Sequence, residues 1–336
     1  MNSLNGVSAS AAQPSGTAVG IFDSGIGGLS ILQHIAARLP QQDLLYFADT
    51  GFAPYGEKPE AVIVERSLHI AQFLLSKGAK ALVVACNTAT VAAIKVLRGH
   101  YPQLPLVGVE PGLKPAALAS QAKIVGVLAT NRTLQGEKFA RLQQEISEQH
   151  QVQFLLQGCT GLARQIDRGE LTTPATLDLL TRYVTPLLEQ GADTLVLGCT
   201  HYPFVRPQIE HLIRQHQNSA TTSNESGAPP ITLIDTGDAV ARQLQRLLQA
   251  HHSGTPGNGT QLKEALPRGT HQNGAIPGER TASTRTASNA EITPALLPAK
   301  TGASLHAYTS GPGAELQLAF SQLLNLSPPV EQIGHF

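Results

Sequence analysis

Short apolar runs alternate along this chain with longer stretches in which apolar residues recur at helical spacing. Val19–Phe22, Leu44–Phe47, Ala81–Ala85, Leu106–Val109, Ile124–Leu128, Val152–Leu156, Thr194–Leu197 and Ile231–Ile234 read as buried strands. Glu60–Lys77, Gly136–Gln149 and Leu177–Gln190 read as helices between them, and Leu305–Thr309 with Ala314–Leu324 as one more strand and helix. The strand runs are continuously apolar, the pattern of parallel sheets covered by helices on both faces. The expectation is an α/β fold.

An internal repeat refines it. Leu74–Cys86 (LLSKGAKALVVAC) aligns without gaps to Leu187–Cys199 (LLEQGADTLVLGC), with seven of thirteen residues identical. A second echo sets Val19-Gly20-Ile21-Phe22-Asp23-Ser24 beside Val125-Gly126-Val127-Leu128-Ala129-Thr130. Each copy of the first repeat predicts a helix end, a Gly-Ala turn, a buried strand and a cysteine just past the strand's C-terminal edge. Ligands bind at that edge in open α/β sheets. Two pseudo-symmetric α/β domains are therefore expected, with the active site in the cleft between them and one thiol on each wall. The expected division puts 18–113, 229–252 and 304–336 in the first domain and 114–228 in the second. Residues 1–17 read as a disordered leader, and 253–303, rich in Gly, Pro, Thr, Ser and Asn, as a low-complexity insertion.

Composition narrows the function classes. The 336 residues carry 24 basic and 24 acidic side chains and no Trp, so no electrostatic or stacking footprint for nucleic acid or an anionic membrane is present. No apolar run approaches the roughly 18 residues of a membrane helix, and the leader lacks the basic and apolar regions of a signal peptide. Cys86, Cys159 and Cys199 form neither a disulfide framework nor a C-x-x-C zinc pair, which fits a reducing cytoplasm.

Candidate chemistry gathers at the strand ends. In Cys86-Asn87-Thr88 and Cys199-Thr200-His201 a thiol can meet a helix N-terminus, the amide and hydroxyls can bind a carboxylate, and His201 can exchange protons with a thiol. Filling the core is the competing reading for a cysteine. It holds for Cys159, which lacks the repeat, and is weak for a pair at equivalent positions. Two thiols on opposite faces of one carbon suit stereoinversion: one removes a proton and the other delivers one. Asp23-Ser24-Gly25-Ile26-Gly27-Gly28 forms a strand end and glycine-rich turn, whose glycines permit positive φ or close approach and whose amides could accept an anion. With Ser30, and Asp49 further on, it approaches a dinucleotide fingerprint, but Ser30 replaces the third glycine and Asp23 sets a negative charge beside any pyrophosphate. The Tyr46–Lys58 segment predicts a strand and loop in which the Tyr55 hydroxyl and backbone amides could line a polar pocket.

Taken in order, Asp23–Leu29, Pro54-Tyr55-Gly56, Ala85–Thr90 and Leu197–Pro203 resemble the bacterial glutamate racemase family, over about Val19–Leu248 and again from Leu305. The resemblance implies interconversion of L- and D-glutamate without pyridoxal phosphate, metal or other cofactor, supplying D-glutamate for peptidoglycan. It implies Cys86 as the thiol acting on D-glutamate and Cys199 on L-glutamate, assisted by Asp23 and His201. The implied substrate contacts are Asp23, Ser24, Tyr55, Gly56, Asn87, Thr88, Thr200 and His201, with Thr130 a weaker candidate. It is compatible with a homodimer and with control by a cell-wall precursor, neither of which these motifs encode. Many relatives carry an acid soon after the position of Cys159; here Arg164 stands there and Asp167 is the nearest acid, which leaves a third carboxylate open. A racemase for aspartate, a nucleotide-binding oxidoreductase or non-catalytic binding protein built on the same turn, and a one-cysteine thiol hydrolase are the alternatives. The last two leave one or both cysteines unexplained.

Overall fold

A computed structural model of the chain describes residues 18–221, 230–252 and 303–334; the expected leader 1–17 and nearly all of the expected insertion 253–303 lie outside the described residues. The described residues contain ten strands: β1 (Ala18–Asp23), β2 (Leu44–Ala48), β3 (Ala79–Val84), β4 (Leu106–Gly108), β5 (Ile124–Ala129), β6 (Gln153–Gly158), β7 (Thr194–Gly198), β8 (Thr232–Ile234), β9 (Leu305–Thr309) and β10 (Val330–Gln332). They form two all-parallel sheets, of order β10-β9-β2-β1-β3-β4 and β6-β5-β7-β8. The order β2-β1-β3-β4 recurs as β6-β5-β7-β8, so the repeat seen in the sequence is a repeat of topology. Each expected strand forms within two residues of its predicted ends.

Both faces of the first sheet are packed, which is why its strands are continuously apolar. Val19 and Ile21 point into one core with the helices Leu29–Arg38, Gly237–His252 and Gly313–Leu324. Ala18 and Phe22 point into another with Glu60–Ser76 and Asn87–His100. Two further cores cover the second sheet, one beneath Leu162–Asp167 and Pro174–Glu189, the other beneath Leu113–Ala119 and Glu137–His150.

The repeated Gly-Ala turn has a physical cause. Gly78 and Gly191 sit at φ 101° and 86°, just past the ends of Glu60–Ser76 and Pro174–Glu189. A left-handed residue ends a helix by closing its last carbonyls, and glycine does so without a Cβ penalty. Gly78 N–H donates to Leu75 O (3.0 Å) and Gly191 N–H to Leu188 O (2.9 Å). The chain then turns at once into β3 or β7, and each central strand delivers its cysteine to its sheet's C-terminal edge.

One expected boundary moves. The sequence expects 229–252 wholly in the first domain, but β8 pairs with β7 in the second sheet. Only beyond it does Gly237–His252 return to pack Val240, Ala241 and Leu244 against the first core. The apolar run at 231–234 needs a hydrogen-bonding edge, and β7 offers the nearest one.

Candidate active site

Cys86 stands two residues past β3 and is the N-cap of helix Asn87–His100; its Sγ accepts from Ala89 N–H at 3.4 Å. The expected meeting of thiol and helix N-terminus is therefore formed. Cys199 directly follows β7 and leads into a single turn, Tyr202–Val205, rather than directly into a helix. Its sulfur faces His201 Nδ1 at 3.5 Å. The two thiols occupy equivalent strand ends, yet one is served by helix amides and the other by an imidazole.

A chain of polar contacts runs between them. The Cys86 thiol donates to Ser24 Oγ (3.6 Å), and Ser24 donates to Asp23 Oδ1 through both its hydroxyl (3.2 Å) and its amide (2.6 Å). Thr200 Oγ1 donates to Asp23 Oδ2 from across the cleft (3.0 Å). On the far side His201 Nε2 lies 2.9 Å from Asp167 Oδ1. Asp23 is fully buried, and Cys86 and Cys199 are 5% and 6% exposed.

Electrostatics separate the two ends. Burial pushes the Cys86 thiol well above its ordinary range, and the Asp23 carboxyl beside it adds to the effect. Burial raises the Asp23 carboxyl too, against the pull of His201 and the Thr200 hydroxyl. Burial alone would depress His201, but Asp167 and Cys199 outweigh it and hold the imidazolium well above its usual range. The Cys86 side therefore favours a protonated thiol, and the Cys199 side carries a charged acid beside its sulfur.

The glycine-rich turn serves this arrangement. A Cβ on Gly27 would collide with His201, and one on Gly25 with Asp167. None of Gly25, Gly27 and Gly28 has positive φ, so the turn uses close approach and not left-handed backbone. The anion at its amides belongs to the chain itself: Ile26 N–H donates to Asp167 Oδ1 (3.1 Å). Asp49, placed for a ribose in the dinucleotide reading, is fully buried and ion-paired to Arg66. Both features remove the basis of that reading. Among the described residues no group of three or more His, Cys, Asp and Glu is placed to hold a metal ion. No helix among them is long and apolar enough to cross a membrane.

Chemically, this arrangement offers a thiol acid on one wall and a thiol–imidazole–carboxylate line on the other. The second half alone has the order of a nucleophilic cysteine site. A family model described as Asp/Glu/Hydantoin racemase matches residues 29–244. The chain belongs to this racemase family. It is 52% identical over 233 residues to a glutamate racemase of Ectopseudomonas mendocina, covering 69% of this chain and 82% of that protein. A glutamate racemase of Cupriavidus pinatubonensis is 44% identical over 295 residues, or 88% and 96% of the two chains. Among solved structures, Escherichia coli glutamate racemase in complex with L-glutamate and the activator UDP-MurNAc-Ala superposes with TM-score 0.68 at 25% identity, over 95% of this chain and 98% of that one.

The racemase fold brings most of the expected residues to one place. Asn87 and Thr88 open the helix after Cys86, and Thr88 Oγ1 meets Thr130 Oγ1 at 3.0 Å across the cleft. Thr130 caps the short helix Asn131–Gln135 at the end of β5, the place its resemblance to Ser24 predicts. Asn87 Nδ2 is buried with no protein partner among the described residues, an available donor beside Cys86. Gly56 abuts Thr130, where a Cβ would come within 3.3 Å. The Tyr55 hydroxyl departs from expectation: it donates to Asp49 Oδ2 (2.6 Å) within a packed core and is not free to line the pocket. Cys159 is buried under Leu162, Tyr183 and Tyr202 and donates to Gln157 O (3.5 Å), as a core cysteine should. Asp167 is the acid whose place the sequence leaves open. It reaches the site because Leu162–Asp167 is a helix, which carries its last residue to His201 while Arg164 points outward to Glu57.

Proposed function

We propose that this chain is a cofactor-independent glutamate racemase in which Cys199 and Cys86 exchange protons with opposite faces of Cα. The observation that carries this reading is the polar chain from Cys86 through Ser24, Asp23 and Thr200 to the Cys199–His201–Asp167 line. Identity of about half to glutamate racemases supports glutamate as the substrate over aspartate.

In the L-to-D direction Cys199, as thiolate paired with the His201 imidazolium, takes the Cα proton, and Cys86 delivers its thiol proton to the other face. Each thiol then holds the form its partner started with. Proton exchange through Asp23 on one side and His201 on the other restores the resting state. D-to-L conversion runs the same steps in reverse. The substrate carboxylates are met by neutral donors: Ser24, Asn87, Thr88, Thr130, Thr200 and the Tyr55-Gly56 backbone. Hydroxyls and amides hold a carboxylate without placing a cation beside Cys86, so Cys86 keeps its proton until it is needed. The product would supply peptidoglycan synthesis in a reducing cytoplasm, which suits three free cysteines.

Cys86→Ala and Cys199→Ala test the assignment. Positioned acid–base groups contribute about 10²–10⁴-fold. Each variant should lose at least that much racemisation of both enantiomers while remaining folded. Near-normal turnover by either one rejects the two-thiol mechanism.

A further inference from the structure

Asp49 belongs to none of the chemistry above, yet it is one of the most heavily engaged side chains in the molecule. It follows β2, is fully buried, and takes hydrogen bonds from three separate stretches of chain. Tyr55 Oη donates to Oδ2 (2.6 Å), Arg66 donates to both oxygens through Nη2 and Nε (2.5 and 3.1 Å), and Ser310 Oγ donates to Oδ1 (2.6 Å). Its own amide donates to the carbonyl of Asp23 (2.9 Å). A buried carboxylate is costly unless every lone pair is used, and here the two-pronged guanidinium and two hydroxyls use them.

What this anion holds is the segment that faces the cleft. Residues 50–58 contain two single turns, Thr50–Phe52 and Tyr55–Glu57, too short to be stable alone. Their far edge, Gly56, rests against Thr130 of the second domain. From behind, Gly51 N–H donates to Ser310 Oγ (3.1 Å), Thr50 Oγ1 meets Thr309 Oγ1 (2.7 Å), and a Cβ on Gly51 would strike the Ser310 carbonyl at 2.6 Å. The end of β9 thus backs the turn at close range.

We propose that Asp49 is a positioning residue for substrate binding: it ties the Tyr55-Gly56 turn to Arg66 and to Ser310, and so sets the width of the cleft opposite Thr130. The role rests on the glutamate reading for its substrate, but its geometry can be tested without turnover. Ser310→Ala removes one donor to Asp49 together with the acceptor of Gly51 N–H, and adds no bulk; Ser310→Thr keeps the hydroxyl. In hydrogen–deuterium exchange of the free protein, amides of residues 55–58 should exchange about fivefold faster in S310A, the worth of one hydrogen bond. They should return toward the wild-type rate in S310T, with the amides of β3 unchanged in both. KM for both glutamate enantiomers should rise by the same factor in S310A with little change in kcat, the sign of lost binding rather than lost chemistry. Asp49→Asn should raise KM further, and adding S310A to it should cost less than S310A costs alone, because the two share the Asp49 carboxylate and only the Gly51 contact is separate. Unchanged exchange at 55–58 in S310A overturns the proposal, as does a lower melting temperature with KM unaltered. Failure of the wild type to turn over glutamate would instead reject the substrate and leave the exchange result to decide the positioning role.

Discussion

Asp167 stands 2.9 Å from His201 Nε2 while the other nitrogen of that ring faces Cys199 at 3.5 Å, so one carboxylate sets the charge of the group beside the thiol. The same carboxylate accepts the amide of Ile26 from the opposite domain. Asp167 thereby joins the imidazole beside Cys199 to the glycine-rich turn on the other wall of the cleft.

Asp167→Asn should therefore do more than weaken binding. Enantiomers have equal free energy, so kcat/KM must fall equally in both directions, by about 10²-fold. The fall in kcat should be larger for L-glutamate, whose proton Cys199 removes. Without Asp167 the His201 value drops, so the alkaline limb of the pH–rate profile should move to lower pH. Stability follows the same sign. His201 is raised in the folded state, so its contribution is complete below about pH 6.5, the unfolded value, and is lost as pH rises through the folded value. The difference in melting temperature between wild type and D167N should thus be largest on the acid side. An unmoved alkaline limb would deny the link between Asp167 and His201.

Gly27→Ala should disturb chemistry more than fold. The added methyl would meet the His201 ring and lie 2.7 Å from Thr200 Oγ1, both across the cleft. A misplacement of about 1 Å can cost 10²-fold in rate, whereas overpacking typically costs about 1–3 kcal/mol of stability. Steady-state kinetics beside thermal melting separates the two. Wild-type kcat in a folded variant would show that the contact is not needed for turnover.

Thr200→Val removes the hydroxyl that lowers the Asp23 carboxyl. Asp23 should then rise further, and its carboxylate form should appear only at higher pH. Since that form is the one able to take the Cys86 proton, the acid limb of kcat for D-glutamate should shift upward in pH. A shift in the other direction would remove Asp23 from its role beside Cys86.

Alkylation should separate the cysteines. The thiolate is the reactive form, and burial holds Cys86 and Cys159 up. At about pH 8 both should react with iodoacetamide far more slowly than a free thiol, whose value is about 8.5. Peptide mapping over time checks this; rapid labelling of Cys86 at that pH would contradict its raised value. Cys159→Ala should leave racemisation intact, because that side chain only fills the core beneath Tyr202.

Much of this architecture is legible in residue order. The twin segments ending at Cys86 and Cys199 encode helix stop, turn and strand by local physics alone, and the glycines at 78 and 191 act as their sequence suggests. Asp23, Asn87 and Thr130 are readable because strand ends in such sheets face ligands. Asp167 is not, since its reach depends on the length and tilt of a six-residue helix seated on a distant core. Tyr55 misleads for a similar reason. Its hydroxyl looks available for a substrate until Arg66, Asp49 and Ser310 meet, and the last of these lies 261 residues from Asp49. β10 has only three residues and forms by pairing with β9, so no local pattern announces it.

The account turns on two separate proton carriers. Incubation of L-glutamate with the protein in D₂O, without added cofactor and stopped early in the reaction, tests it directly. The D-glutamate formed should carry one deuterium at Cα, delivered by exchanged Cys86, while the recovered L-glutamate should remain unlabelled. Deuterium appearing equally in both enantiomers, or D-glutamate formed without deuterium, would contradict the two-thiol mechanism.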